Sequence, residues 1–421
     1  MWVVLPMSAL YRPSWLIVPA LLMAAALVTS CTSGTSALQP ASVGLRVTDS
    51  AGPHPTFQVV GVFDRDGNDL AIPDPASVAT PQAYPTATCA PGLSIGVAGD
   101  LSGEAAEVGG RTRDGAALAV MQFNASHPSC QLTIREFDTK NADLTTLQAA
   151  KDAVADTSVI GLIGPMGSHE YDLVGEKLAQ AGLVAATPSA GDPRLSSHGW
   201  TNFFRAVGTD TDSAVAAGNY LARRLGSQKI CVVTQDRSET IDAARAIGKT
   251  LGSVENADCR ATVGDDTRLN SADVQAIASA APDAVFFAGY GFAAGPFVSL
   301  LRKAGNEATF LGWQGLVDSD FITKAGQAAR HVLAVGSWQP PVPNLQKAFR
   351  DAFGWDDGRY TPEAYELATI MVNGIASGAV TDRASMLSYF KTYRGNGFTR
   401  HYEWDERGEL KTAPFWVWEV D

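Results

Sequence analysis

The sequence contains no G-x-S-x-G elbow, no H-E-x-x-H, no Walker loop and no dinucleotide fingerprint, so the common signatures of serine hydrolases, zinc proteases, nucleotide hydrolases and dehydrogenases are absent. Its 6 histidines are scattered without metal-ligand spacing. The adjacent pair Ser168-His169 sends its side chains in different directions, a poor arrangement for a nucleophile and its base. Cations are in the minority, with 32 Lys plus Arg against 44 Asp plus Glu and a formal net charge of -12. Such a chain repels phosphate backbones unless basic residues cluster, and no basic patch is visible, so nucleic acid is not an expected partner. No apolar run reaches the roughly 20 residues that a bilayer-spanning helix needs. An enzyme is therefore the weaker class, and no cofactor or metal is expected.

What is present is globular: 46% apolar residues, 18% charged and nine tryptophans in 421 residues, enough for two or three domains. Near the start a single cation, Arg12, precedes the apolar run Leu16–Val28, of signal-peptide length. Val28-Thr29-Ser30-Cys31 follows it and resembles the lipobox of bacterial lipoproteins, in which the cysteine becomes the lipidated first residue. Residues 1–30 are then a lipoprotein signal peptide, Cys31 is the lipid anchor, and the mature protein is extracytoplasmic and held to the membrane.

Cys31 aside, Cys89, Cys130, Cys231 and Cys259 form an even set in a compartment where disulfides persist. Cys89 and Cys130 each stand just before an apolar strand, and Cys231 and Cys259 lie on consecutive strands, which favours the pairs 89–130 and 231–259. None has C-x-x-C spacing.

Residues 31–90 are rich in Pro, Ser, Thr, Ala and Gly and read as a tether, with a possible small hairpin at FQVVGVF and the Asp66-Gly67 step. From Leu93 onward, short apolar runs bounded by Gly or Pro alternate with stretches of helical period: an α/β chain with two doubly wound parallel sheets, about 93–208 and 210–335. Ligands in such sheets bind beyond the carboxyl ends of the strands. Those ends carry polar, glycine-rich turns at 99–103, 164–169, 187–191, 289–291 and 312–315, so two rims would face each other across a cleft.

LSIGVAGDLSG, GLIGPMGS, ATPSAGDPRLSSHGWTNFFRAVGTD, DAVFFAGYG, TFLGWQGLVDSDF and WDERGEL together resemble the branched-chain amino-acid-binding branch of the type I periplasmic binding proteins, the receptors of ABC importers. The resemblance implies two lobes joined by three hinge crossovers near Gly208-Asp210, Val335-Trp338 and Tyr402-Leu410. Lobe 1 would comprise 91–209 plus 338–403, and lobe 2 would comprise 210–337 plus 404–421. It also implies closure on a small ligand and ABC permease subunits as partners. By position, Ser168 matches the hydroxyl that binds the ligand carboxylate, and Ser189 with Ala190 the backbone facing the ligand head. Tyr290 matches a second-lobe contact, and Tyr360 an aromatic wall. Four positions depart: Gln314 replaces an acid, Gly191 a threonine, Val108 an aromatic and Glu239 a tyrosine. A buried ammonium without a carboxylate partner costs several kcal/mol. Either Glu239 supplies that charge, or the ligand lacks an ammonium and is a carboxylate, an amide or a similar polar molecule; the second is preferred. A sensor of the same fold, signalling to a membrane partner, is the alternative to transport.

Overall fold

The computed structural model describes residues 56–103, 106–264 and 271–421; the segment read as a signal peptide and Cys31 lie outside them. In chain order, strand β1 (Phe57–Phe63) comes before the first lobe. That lobe is formed by β2 (Ser94–Gly99), α1 (Ala106–Ser126), β3 (Thr133–Asp138), α2 (Asp143–Ala155), β4 (Val159–Ile163), α3 (Ser168–Gln180), β5 (Ala185–Thr187) and β6 (Phe203–Arg205). Its five strands run parallel in the order β3-β2-β4-β5-β6. Every residue of β2 and β4 is buried, as expected for strands covered by helices on both faces.

The second lobe follows with α4 (Asp210–Asn219), β7 (Ile230–Gln235), α5 (Ser238–Leu251), β8 (Ala261–Val263), α6 (Ser271–Ala280), β9 (Ala284–Ala288), α7 (Gly291–Lys303), β10 (Thr309–Gly312), α8 (Ser319–Ala325) and β11 (Leu333–Gly336). The chain then returns to the first lobe for α9 (Pro343–Phe353), α10 (Thr361–Ala376), α11 (Arg383–Thr392) and the short pair β12 (Gly395–Asn396) and β13 (His401–Tyr402). It ends in the second lobe with β14 (Phe415–Val420). All sixteen residues of α10 are buried, Glu363 and Glu366 included; its apolar residues pack into the first core with Ala116, Val120 and Phe123 of α1.

Both disulfides form as the strand positions imply: Cys89–Cys130 with Cα atoms 4.9 Å apart, and Cys231–Cys259 at 5.4 Å. The stretch read as a tether is different. FQVVGVF is the outer strand of a seven-stranded sheet, β1-β14-β11-β10-β9-β7-β8, pairing antiparallel with β14 from Phe57↔Val420 to Phe63↔Phe415. Phe63 is buried and stacks on Tyr220 with ring centroids 5.2 Å apart. The small hairpin is present in short form: an antiparallel bridge joins Phe63 and Asp69, the Leu70 amide donates to Val62 O, and in the turn Asp64 Oδ1 accepts from the amides of Asp66 and Asn68. Further on, the segment lies on the first lobe: the Ala79 amide donates to Asn396 O, Asn373 Nδ2 to Thr80 O, and Cys89 is bridged to Cys130. The physical reason is β14, whose FWVWEV side chains would otherwise form an open apolar sheet edge, a template for aggregation.

Trp404 and Leu410 sit in the first lobe's core beside Phe204 and Phe390, so the chain stays with that lobe to Leu410 rather than leaving it at 404. At the crossovers a buried guanidinium ties three separate stretches together. Arg400 Nη1 donates to Ala206 O, Nη2 donates to Ser337 O at 3.4 Å, and Nη2 pairs with Glu363 Oε1 at 2.9 Å. Both side chains of that pair are wholly buried. Glu366 completes the network by accepting from Tyr402 and Gln339.

Candidate functional site

On the first lobe the polar turns after β4 and β5 hold each other. Ser168, the first residue of α3, accepts from the Asp192 amide at 3.1 Å. Ser189 Oγ donates to Met166 O at 2.7 Å, and Thr187 Oγ1 accepts from the Ala190 amide at 3.0 Å. Beneath this loop lies Arg205, fully buried at the end of β6. It donates to the carbonyls of Ala190 and Asp192 and pairs with Glu409 at 2.9 Å. Its charge is thus spent on fixing the 190–192 loop and the third crossover. Ser168, Ser189, Ala190 and Gly191 therefore form one preorganised rim.

The second lobe's rim is built on the ends of β7, β9 and β10. Gln235 Oε1 accepts from the Tyr290 amide at 3.0 Å, and Tyr290 OH donates to Glu239 Oε1 at 3.1 Å. The Tyr290 ring lies where a side chain at Gly315 would have to go, with a Cβ there 2.8 Å from the ring. Burial and the Glu239 carboxylate push the Tyr290 hydroxyl well above its ordinary range. Glu239 is half-exposed, and besides Tyr290 it accepts from Ser238.

The rims meet at a residue absent from the sequence-derived set. Asp210, the first residue of α4 on the first crossover, accepts from Gln314 Nε2 at 2.6 Å. Its amide donates to Gly191 O at 2.8 Å. A Cβ on residue 191 would lie 2.1 Å from Asp210 Oδ1, so glycine at 191 is what admits the carboxylate. Enclosure raises the Asp210 carboxyl to about 6; the Gln314 N–H and Arg205 act against this, while Asp192 and Glu239 add to it.

Tyr360 caps α10 in the left-handed backbone region, φ 67°, an uncommon conformation for a residue with a ring and of the kind that clusters at ligand sites. Although it belongs to the first lobe's sequence, it packs against the second lobe's core. Burial pushes its hydroxyl up to about 12. The neighbouring Arg359 lies over the Trp338 ring at 5.1 Å and donates to Val317 O, a direct link between the lobes. Val108 is about half exposed near the start of α1.

Sequence reasoning missed Asp210, Arg205 and Arg359. Asp210 was legible as the acid ending RAVGTD, and Arg205 as a cation set against two phenylalanines. His169 is exposed and pairs with Asp143 at 2.8 Å, so it does not act on Ser168. Among the described residues no group of three or more His, Cys, Asp or Glu is placed to hold a metal, and no helix is long and apolar enough to cross a membrane.

Comparison with known proteins covers most of the chain. The periplasmic binding protein family model matches residues 92–421. The leucine-, isoleucine-, valine-, threonine- and alanine-binding protein of Pseudomonas aeruginosa is 27% identical over 343 residues, 78% of this chain and 89% of that protein. The Leu/Ile/Val-binding protein of Escherichia coli is 22% identical over 351 residues, 80% and 93% of the two chains. Among solved structures, the branched-chain amino acid transporter substrate binding protein of Streptococcus pneumoniae in complex with isoleucine superposes with a TM-score of 0.65 at 20% identity, over 78% of this chain and 99% of that one.

Proposed function

The chain belongs to the periplasmic binding protein family, and from that premise we propose that it is the lipid-anchored receptor of an ABC importer, closing two lobes on a small polar metabolite, an amino acid or a related carboxylate or amide. As a member of the family it is a solute-binding receptor and not an enzyme. The observation that supports the binding reading is the meeting of the two rims at Asp210 on the crossover: its amide donates to Gly191 O of the serine- and amide-rich turn on the first lobe, and its carboxylate accepts from Gln314 of the second. Such turns favour an anionic group, and tyrosines supply apolar walls with one polar tip. The relatives' names, which specify branched-chain and other small amino acids, support the same solute class.

The anchor follows from the apolar run Leu16–Val28 and the small-small-Cys step at Cys31. Several acyl chains on one cysteine give stable membrane attachment where a single one is marginal. Cys31→Ala is therefore expected to move the protein from the membrane pellet to the soluble fraction, and unchanged fractionation rules out lipidation at Cys31.

The binding reading is tested with the full-length protein in detergent, by thermal-shift screening against amino acids, carboxylic acids, amides and polyamines. A ligand at about 100 times its Kd stabilises the fold by about 2.7 kcal/mol, enough for a shift of several degrees. Silence across the panel from folded protein removes this reading.

A further inference from the structure

We infer that the chain has a second binding site, apart from the cleft, that takes a small multivalent anion and acts on the hinge. The site is a cavity of about 670 Å³ between the first and third crossovers and the turn that follows β1. None of Ser168, Ser189, Tyr290 and Gln314, which belong to the cleft rims, lines it. One of its walls is Arg65, which stands ahead of residues 92–421 matched by the family model. That wall is therefore built by a part of the chain outside the family pattern.

The chemistry of the walls selects an anion. Arg65 pairs through Nε with Asp212 at 2.6 Å, and Arg407 through Nε with Asp405 at 3.3 Å. Among the described residues no hydrogen-bond partner holds the Nη groups of either guanidinium. Each thus presents N–H donors in the fork that fits a carboxylate or a phosphate. In both pairs the cation is the more exposed member, 58% against 33% and 63% against 31%, so the acids lie beneath and the cations face outward. Lys411, a third cation of the walls, reaches Glu403 at 2.6 Å, but Glu403 is shared with Arg394 at 3.0 Å. Glu409, the remaining carboxylate of the walls, is paired with the buried Arg205. This group of ion pairs therefore has one cation in excess, within a chain whose formal net charge is -12. The hydroxyls of Ser196 and Thr211 add further donors. Two forks and an ammonium on separate stretches of chain call for more than one anionic group on the ligand, since a single carboxylate engages only one of them.

The cavity also spans the hinge. Arg65 is fixed to the second lobe, where its carbonyl accepts from Asn219 of α4 at 2.9 Å. Arg407 is fixed to the first, where the carbonyl of the adjacent Gly408 accepts from the Arg205 amide at 3.1 Å. An anion gripped by both arginines is held at a strength that depends on the angle between the lobes, so by linkage it shifts the balance between open and closed forms.

The test is calorimetric titration of the full-length protein in detergent with citrate, pyrophosphate and acetate at constant ionic strength. Citrate or pyrophosphate is expected to bind at least about tenfold more tightly than acetate, and which of them does so separates carboxylate from phosphate recognition. Arg65→Gln and Arg407→Gln should each weaken that binding at least about tenfold, and the double variant should lose it. Should a glutamine variant fail to fold, Arg65→Lys, which keeps the charge and loses the fork, should weaken it at least about threefold. In small-angle scattering the bound anion should change the radius of gyration of the parent and leave that of the double variant unaltered. Neither citrate nor pyrophosphate binding to folded protein, acetate binding as tightly as both, or undiminished binding by the double variant overturns the site. Binding with an unchanged radius of gyration overturns its action on the hinge. The reading of the cleft stands or falls separately, on its own screen.

Discussion

A chain beginning at residue 90 is expected not to accumulate as folded monomer, whereas one beginning at residue 56 is. The shorter chain loses Cys89 and with it a disulfide closing a loop of sequence separation 41, worth about 4 kcal/mol in the chain-entropy account. It also loses Phe63, 1% exposed, whose burial contributes roughly 1.5 to 3 kcal/mol, and it leaves β14 as an open apolar edge. The total is comparable with the whole stability of an ordinary domain, about 5 to 15 kcal/mol. Gel filtration and urea unfolding of the two chains side by side decide the matter; equal midpoints would mean that β1 is an ornament on the sheet.

Arg400→Met should cost about 3 to 5 kcal/mol, because it leaves Glu363 buried without its partner and two crossover carbonyls without their donor. The loss should depend on pH. Burial already holds the Glu363 carboxyl up to about 7, with the Arg400 guanidinium pulling the other way. Without Arg400 it is held higher still, so the stability associated with its protonated form is fully present below the ordinary glutamate range, near 4.3, and is lost as pH rises through the folded-state value. Adding Glu363→Gln should recover part of the loss, since a neutral side chain no longer has to be buried as an ion. Urea midpoints at pH 5 and pH 8 for the single and double variants measure both effects. A single variant within 1 kcal/mol of the parent at both pH values would contradict the hub role of Arg400.

Much of the architecture was readable because burial on both faces leaves continuous apolar runs, as in VIGLI and AVFFA, and because the amphipathic helices between them repeat their apolar residues at helical spacing. Helix α4 keeps that spacing over Asp210–Asn219 and then widens to a π turn over Tyr220–Arg224. The helices α9 and α11 went unread although their signals are local: Pro343 in the first turn with Leu345 and Phe349 four apart, and Asp382 capped with Ser385. The strand β6 is only three residues long, too short for a period to show. The partner of β1 could not be read at all, because its pairing joins positions more than 350 residues apart and nothing local in FQVVGVF specifies FWVWEV. The site failed in the same way. Gly191, Asp210 and Gln314 are each visible, but that they share one contact depends on how the crossovers bring the lobes together, and a residue-by-residue match to a family pattern treats 191 and 314 as separate losses.

The double attachment of the N-terminal segment also sets a limit on motion. Leu70 is bonded to Val62 of the second lobe's outer strand, and Ser77 accepts from Asn396 of the first lobe. The chain between these points is seven residue steps long, and fully stretched it reaches no more than about 25 Å. However the three crossovers bend, the lobes on that side cannot separate farther than this without breaking β1 from β14 or unseating the stretch held by Cys89. The amplitude of opening at that side is thus written into the number of residues between Leu70 and Ser77. Inserting glycine and serine there should widen the open state while leaving the closed one untouched.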